Sequence, residues 1–148
     1  MTEITTKIST KPSPGLVVDT SAVVAVLEGE PDTEAVIETL DRAEWRLMSA
    51  ATLVELGIVV QARLGPVGAL AVERFLRDGE IDVVAFDRPQ VDRALDAWRR
   101  FGKGRHPAAL NLGDCYVYAL AAERGLPVVC AGNDFAQTDL DVVPTAAI

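Results

Sequence analysis

The sequence is poor in the residues that soft metal sites and disulfide frameworks require. Its 148 residues include only two cysteines and one histidine. Cys115 and Cys130 form neither a CxxC motif nor a Cys/His cluster. A zinc site needs more soft ligands than these. We therefore predict that both cysteines are reduced thiols in the core of a cytoplasmic protein.

Aromatic residues and long apolar runs are also scarce. Aromatics make up 5% of the chain although 49% of it is hydrophobic, so the core must be aliphatic. No apolar run approaches the roughly 18 residues that a membrane-spanning helix needs. Residues 1–15 lack the apolar stretch of a secretory signal. We predict a flexible, polar N-terminal extension over residues 1–15 and a single domain over residues 16–148.

Positive charge is in the minority. The chain has 14 Lys and Arg residues against 22 Asp and Glu residues, which gives a formal net charge of −8. This balance excludes broad, charge-driven binding to nucleic acid or to a membrane surface. It still permits a carboxylate site that holds a phosphodiester through bound cations, with a local basic loop for docking.

Short apolar strands alternate with helical patterns along the chain. In the helix predicted near residues 91–101, Val91, Ala94, Leu95, Trp98 and Phe101 have the spacing of one apolar face. The alternation predicts an α/β/α sandwich with a mostly parallel sheet of four to five strands. The strands are predicted at 16–18, 46–48, 81–86, 128–131 and 142–143, and the other helices at 20–28, 31–43, 51–64, 67–78 and 111–124.

Two carboxylates directly follow predicted strands. In open α/β sheets, ligands bind beyond the carboxyl ends of the strands, and this rule selects Asp19 and Asp134. Each also has an ordinary structural interpretation. Asp19 could be a helix N-cap, although Thr20 or Ser21 could cap the same helix. Asp134 could be a turn residue.

Two further carboxylates lie on predicted helices. Glu55 occupies a helix with so few other polar positions that we predict it to be buried nearly all round. Asp114 follows Asn111 by three residues, the spacing of a capping box. Carboxylates gathered at one site repel one another unless cations neutralise them. An all-oxygen cluster suits Mg²⁺ or Mn²⁺, which can support hydrolysis of a phosphodiester.

A basic loop precedes Asp114. The segment Arg99-Arg100-Phe101-Gly102-Lys103-Gly104-Arg105-His106 places four cations and the one histidine within eight residues. One interpretation is a helix C-terminus followed by a solvated loop. We favour a phosphate-docking role for Lys103 and Arg105, with His106 as a phosphate or structural contact.

Together these segments resemble the PIN-domain ribonucleases, specifically the VapC-type toxins of VapBC (type II) toxin–antitoxin modules. The resemblance covers about residues 16–143. Its most specific segment is residues 102–115, GKGRHPAALNLGDC. The other matching residues are VVDTSA at 17–22, Ser49 with Glu55, GNDF at 132–135, and Thr138 with Asp139.

The resemblance implies a PIN-like sandwich and a metal-dependent endoribonuclease. Asp19, Glu55, Asp114 and Asp134 would be an acidic quartet around one or two Mg²⁺ or Mn²⁺ ions. Asp19 and Asp114 would be the closest metal ligands. Hydrogen bonds from Thr20, Ser21, Asn111 and Thr138 would orient the site.

The resemblance also implies an RNA substrate, a homodimer, and a VapB-type antitoxin whose tail occupies the acidic groove. Asn133 stands where many members of the family have another acid, so Asp134 would supply that carboxylate.

Other classes of protein stay open at this stage. One is a phosphatase with a nucleophilic aspartate, but such sites usually have a second Asp where this chain has Ser21. Another is a metal-binding interaction module without catalysis, either an inactive PIN-like domain or a receiver-like domain. A receiver-like site needs an acid pair near the end of the first strand, where this chain has only Asp19.

Overall fold

The computed structural model describes residues 15–143 as five strands and six α-helices. The strands are β1 (Gly15–Val18), β2 (Trp45–Ser49), β3 (Ile81–Val84), β4 (Val128–Val129) and β5 (Val142–Val143). The helices are α1 (Thr20–Leu27), α2 (Thr33–Arg42), α3 (Ala50–Leu64), α4 (Pro66–Asp78), α5 (Arg88–Phe101) and α6 (Leu112–Arg124), and a 3₁₀ turn spans Phe135–Gln137. The extension predicted over residues 1–15 lies outside the described residues except for Gly15, which begins β1.

The five strands form one parallel sheet in the order β3-β2-β1-β4-β5. In the central strand, Val17 pairs with Leu47 of β2 on one side and with Val128 of β4 on the other. The carboxyl ends of all the strands therefore lie at one edge of the sheet. This architecture confirms the predicted α/β/α sandwich.

Adjacent side chains of β1 point to opposite faces of the sheet. All of them are apolar, and helices cover both faces. Val17 packs with residues of α5 and α6, including Ala97 and Leu120. Leu16 and Val18 pack with residues of α1 to α4, among them Val23, Val36, Leu56 and Val72. Both cores are mainly aliphatic, as the composition predicts. Among the helices of residues 15–143, none has the length and apolarity to span a membrane.

Both cysteines are buried and free, as predicted. Burial in the core is the main cause that raises the pKa of Cys115 to about 11. It also raises the pKa of Cys130 to about 12, with a smaller contribution from nearby carboxylates such as Asp19. Both groups therefore stay protonated thiols at neutral pH.

The face that α5 buries agrees only in part with the predicted one, since Phe101 is buried and Ala94 packs against the core. Leu95 and Trp98 are each 47% exposed, whereas Gln90, Ala97 and Phe101 are buried. Gln90 can occupy a core position because its amide donates to the carbonyl of Ala85 and to Glu123 of α6. A polar side chain thus takes a position that hydrophobic periodicity assigns to an apolar residue. Its Nε2 is hydrogen-bonded, and its Oε1 has no partner among the described residues.

The prediction that α3 is buried nearly all round is wrong. Leu56 and Val60 face the core, but Val54 and Ile58 are 63% and 65% exposed. Their face of α3 is left uncovered by the elements that residues 15–143 form.

The ends of two strands also differ from prediction. β3 ends at Val84, after which the Phe86 ring packs edge-on against Tyr116 of α6 at 5.2 Å between centroids. β4 ends at Val129, and the amide of Ala131 donates to the hydroxyl of Ser21. Side-chain contacts at the carboxyl edge thus replace the last predicted backbone pairings.

Candidate active site

Asp19 joins β1 to α1 at the carboxyl edge of the sheet. Its backbone is extended, and its Oδ2 accepts hydrogen bonds from the amide and the hydroxyl of Ser21. The residue is only 7% exposed. Burial raises the pKa of the Asp19 carboxyl, the bonds from Ser21 oppose that rise, and the charge of Glu55 adds to it. Asp19 is therefore an N-cap and also a buried carboxylate with no cationic partner in the described structure.

Ser21 links two of the segments that follow strands. Its hydroxyl donates to Asp19 and accepts from the amide of Ala131 at 2.9 Å. The Ser21 side chain thereby ties the end of β1 to the segment after β4 and fixes one oxygen of Asp19.

Glu55 lies on the second turn of α3 and faces the same region. Its Oε1 accepts a hydrogen bond from the hydroxyl of Thr20 at 2.7 Å. The carboxylate also lies against Gly113 on the first turn of α6. A Cβ atom at position 113 would be 2.1 Å from Glu55 Oε2 and 2.5 Å from its Cδ. A glycine at position 113 is therefore what allows α6 to approach Glu55.

Asp114 forms the predicted capping box with Asn111. The Asp114 amide donates to Asn111 Oδ1 at 2.9 Å, and Asp114 Oδ2 accepts from the Asn111 amide at 3.0 Å. Burial raises the pKa of Asp114 to about 6, against the lowering effect of the Asn111 amide. The charges of Asp19, Asp134 and Glu55 contribute to the same rise. The part of Asp114 in the capping box is therefore compatible with a part in an acidic site.

The side chains of Asp19, Ser21, Glu55 and Asp114 line one open cleft of about 510 Å³. Within residues 15–143 its wall combines five carboxylates with a single guanidinium, that of Arg63, which is already bonded to Glu28 at 2.9 Å. The cleft is consequently strongly negative. Its lining is Asp19, Thr20, Ser21, Val24, Glu30, Asp32, Glu55, Val59, Arg63, Asp114, Ala131 and Gly132.

Sequence reasoning missed Glu30, Asp32 and Arg63. Glu30 and Asp32 lie on the loop between α1 and α2. A signal was available, because α1 has eight residues and a helix of that length spans only about 12 Å. The loop after α1 therefore cannot lie far from Asp19. Arg63 belongs to α3, two turns beyond Glu55, so its position follows from the packing of α3.

Three residues predicted for the acidic site do not line the cleft, namely Asn111, Asp134 and Thr138. Asn111 is the N-cap of α6, beside the cleft. Asp134 is exposed at the start of the 3₁₀ turn, although its charge reaches Asp114. The hydroxyl of Thr138 donates to the carbonyl of Phe135 at 2.6 Å and accepts from the amide of Leu140 at 3.1 Å. These bonds close a turn within the segment, and the predicted part of Thr138 in orienting the site stays a prediction.

The segment after Asp134 is anchored by Asp139. Asp139 accepts from the Tyr118 hydroxyl at 2.6 Å and pairs with Arg100 at 3.0 Å. Burial opposes ionisation of Asp139, but the bonds from Tyr118 and Arg100 outweigh it and lower the pKa of this carboxyl. The ion pair therefore fixes the segment that carries Asp134.

The basic loop lies beside the N-terminus of α6 and outside the cleft lining. The Lys103 amide donates to the carbonyl of Leu110, and the Leu110 amide donates to the carbonyl of Phe101. Lys103 and Arg105 are exposed. His106 makes structural contacts, because its Nδ1 accepts from the Ala108 amide at 3.0 Å and its ring meets Phe101 edge-on.

The donor set of the cleft fits a hard divalent cation. Asp19 and Asp114 are oxygen donors, and neither carboxylate forms an ion pair within the described part of the chain. No group of three or more His, Cys, Asp or Glu side chains within residues 15–143 is arranged as a complete metal site. An Mg²⁺ ion in the cleft would therefore need water or phosphate oxygens besides one or two carboxylates, a common arrangement for this ion.

Comparison with known proteins identifies the family. The PIN domain matches residues 16–140. The chain belongs to the PIN domain family. The VapC ribonuclease Mb0640 of Mycobacterium bovis is 42% identical to this PIN domain over 128 residues, which are 86% of this chain and 98% of the relative. The resemblance to VapC-type PIN domains is thereby confirmed.

Solved structures match the fold of this PIN domain. The VapC20 toxin of Mycobacterium tuberculosis superposes with a TM-score of 0.72 at 17% identity, over 86% of this chain and 98% of that one. A toxin–antitoxin complex from Klebsiella pneumoniae gives a TM-score of 0.67 at 16% identity, over 90% of this chain and 99% of its own. Membership of the PIN family removes the phosphatase and receiver-like alternatives.

Proposed function

We propose that this PIN domain is the toxin of a VapBC-type toxin–antitoxin module and a metal-dependent endoribonuclease. The observation that carries the proposal is a pair of carboxylates without a cationic partner in the described structure, the buried Asp19 and the half-buried Asp114, which face one acidic cleft together with Glu55. The close relative from Mycobacterium bovis is named a ribonuclease. An inactive PIN-like module is the alternative.

In the proposed mechanism, Asp19 and Asp114 would hold Mg²⁺ or Mn²⁺ in the cleft. When bound, such an ion would supply Lewis acidity and lower the pKa of water. Ser21 and Asn111 each fix one carboxylate oxygen, of Asp19 and of Asp114 respectively. Thr20 holds Oε1 of Glu55, so that Oε2 is left to take up the proton of the attacking water. Asp134 adds negative charge at the rim.

The chemical change is hydrolysis of a phosphodiester. The water oxygen bonds to phosphorus, one ester P–O bond breaks, and the leaving oxygen takes a proton from solvent, which balances the proton that Glu55 accepts. We assign the docking of neighbouring phosphates to Lys103 and a further contact with the RNA to Arg105, with His106 supporting the loop.

Metal dependence is the direct test of this function. We expect the protein to cut cellular RNA in Mg²⁺ or Mn²⁺, to lose all cleavage in excess chelator, and to regain it when Mg²⁺ is restored. Sequencing of the new RNA ends measures the reaction. Cleavage that persists in chelator would contradict the metal mechanism. Calorimetric binding of Mg²⁺ without any cleavage would favour the inactive module.

We further propose that a basic segment of a VapB-type antitoxin neutralises the toxin in the cytoplasm. The cleft is suited to such a segment because its carboxylates outnumber its cations five to one among the residues that line it. The solved toxin–antitoxin complex with the same fold supports this pairing.

We also propose that a second copy of the chain covers the exposed face of α3. Val54, Ile58 and Leu112 are 63%, 65% and 70% exposed and line an apolar groove of about 550 Å³ with Tyr116. Glu55 is the one charged residue of that lining. Two chains of net charge −8 repel each other over most of their surfaces, so an almost uncharged apolar patch is where copies can meet.

A charge placed in this groove should separate the copies. We expect Ile58→Asp to convert a dimer into a folded monomer, measured by light scattering coupled to size-exclusion chromatography. Val67→Asp is the matched control, because Val67 is equally exposed but lies on α4 outside the groove. A wild-type protein that is monomeric at all concentrations, or an Ile58→Asp protein that stays dimeric, would contradict the proposal.

A further inference from the structure

One aromatic side chain of the basic region is not used by the proposed mechanism. Trp98, on the last turn of α5, is 47% exposed, and the guanidinium of Arg105 lies over its ring at 4.5 Å from the centroid. Arg105 Nε also donates to the carbonyl of Arg99 at 3.3 Å. The indole and the backbone together hold the guanidinium plane in place. We call this Trp98–Arg105 pair the stacking platform.

The local sequence is adapted to build this platform. Gly102 follows α5, and a Cβ atom there would lie 2.6 Å from Trp98 Cδ1 and 2.4 Å from the Trp98 carbonyl oxygen. The amides of Arg105 and His106 both donate to the carbonyl of Gly102, at 2.9 and 3.1 Å. The loop therefore folds tightly back over Trp98, whereas a merely solvated loop would require neither the glycine nor these bonds.

The charges around the platform lack partners. Among residues 15–143, Arg99, Lys103 and Arg105 have no carboxylate within 4.0 Å, whereas the neighbouring Arg100 pairs with both Asp96 and Asp139. Three uncompensated cations in one short segment of a chain of net charge −8 indicate an anionic ligand.

The platform is connected directly to the cleft. Leu110 bonds to both Phe101 and Lys103 through its backbone and immediately precedes Asn111, the N-cap of α6. Asp114 is on the first turn of that helix. A nucleic acid that passes from the platform along the loop therefore reaches the N-terminus of α6, whose first turn carries Asp114.

We propose that the platform binds an unpaired base of the RNA substrate, which stacks on the outer face of the Arg105 guanidinium while Lys103 and Arg99 contact adjacent phosphates. Guanidinium planes and aromatic rings stack on bases that are splayed out of a helix, and a base inside a duplex is not accessible in this way. The inference rests on the proposed ribonuclease function and specifies it, because it makes the substrate single-stranded beside the cleavage site. Binding of an acidic peptide would require only positive charge. It would not require a planar guanidinium that is held in place by an aromatic ring.

Binding of RNA to a protein that cannot cut it tests the inference. In an Asp114→Asn background, we expect Trp98→Leu and Arg105→Lys each to weaken binding of a short oligoadenylate by about tenfold. Arg105→Lys keeps the positive charge and removes the planar guanidinium. If the residue only docked a phosphate, the affinity for oligoadenylate would therefore change very little in this variant. Trp45→Leu is the matched control, since Trp45 is 46% exposed and lies at the opposite edge of the sheet. It should bind as the parent protein does.

Fluorescence provides a second readout in the same protein. The chain has two tryptophans, so Trp45→Phe leaves Trp98 as the sole tryptophan, whose emission can be excited selectively. We expect oligoadenylate to change its emission and inorganic pyrophosphate to leave the emission unchanged.

Three outcomes would overturn the inference. The first is full oligoadenylate binding by both platform variants. The second is binding of a duplex RNA that is as tight as binding of oligoadenylate and is weakened as much by Trp98→Leu and Arg105→Lys. The third is binding of a decaglutamate peptide that is as tight as binding of oligoadenylate and is weakened as much by the same substitutions. That result would make an acidic protein the ligand of the patch. Failure of the wild type to cut any RNA would refute the proposed function itself, and the unchanged binding of platform variants would refute only the platform.

Discussion

Replacement of Asp114 by Asn is expected to abolish RNA cleavage while leaving the protein folded and, without metal, more stable. The Asn side chain can still accept the hydrogen bond from the Asn111 amide that completes the capping box. What it loses is the negative charge that holds the cation. A metal ion contributes several kcal/mol of transition-state stabilisation, and about 4 kcal/mol corresponds to a thousandfold in rate. We therefore expect cleavage to fall by about a thousandfold or more.

The expected gain in stability follows from the pKa of Asp114. Burial raises this pKa to about 6 in the folded protein, from an ordinary value of 3.8. The folded state thus binds the proton more tightly than the unfolded state does, and metal-free stability falls as pH rises from about 4 through about 6. Asn carries no such charge. The melting temperature of the variant in chelator should exceed that of the wild type at neutral pH, and the difference should shrink towards pH 4.

The control for this experiment is Glu73→Gln, which removes an exposed carboxylate of α4 outside the cleft. It should keep both the activity and the melting temperature of the wild type. Addition of Mg²⁺ should raise the melting temperature of the wild type and leave that of Asp114→Asn unchanged, because an ion stabilises only the state that binds it. An Asp114→Asn protein that is folded and still cuts RNA would refute the assignment.

The elements that hold the site could be predicted because each depends on local rules. Asp19 follows a strand, and the carboxyl ends of parallel strands meet at one edge whatever the details of packing. The capping box of Asn111 and Asp114 depends only on residues three apart in the chain. These rules therefore placed Asp19 at the end of the first strand and Asp114 on the first turn of its helix, as the structure has them, and the metal-binding roles of the two residues stay a prediction.

The features that the sequence did not reveal depend on what covers each helix. Hydrophobic periodicity marks an apolar face, but it does not say whether another element packs on that face. Leu95 of α5 and Ile58 of α3 have the spacing of core residues and are exposed. Trp98 and Arg105 are seven residues apart, and their contact depends on the turn at Gly102. Such contacts follow from the three-dimensional path of the loop and are not visible in the spacing.

Gly113→Ala is expected to reduce cleavage by about a hundredfold, the lower range of a lost proton-transfer group, with little cost in stability. The new Cβ atom would lie 2.1 Å from Glu55 Oε2, and its three nearest atoms all belong to the carboxylate end of Glu55. That end can move aside at little cost. This movement breaks the hydrogen bond between the Thr20 hydroxyl and the Glu55 carboxylate and takes the carboxylate away from Asp114. Within the helix itself, Ala is favoured over Gly by up to about 1 kcal/mol.

Gly57→Ala is the matched control, since the nearest atom to a Cβ at position 57 is Gln61 Nε2 at an ordinary 3.8 Å. It should remain fully active. The mechanism is isolated by the double variant: if Gly113→Ala acts only by displacing Glu55, adding it to Glu55→Ala should cause no further loss of cleavage. A full additional hundredfold loss in the double variant would mean that the methyl group acts through Asp114 and the position of α6, and would remove the support for Glu55 as the proton acceptor.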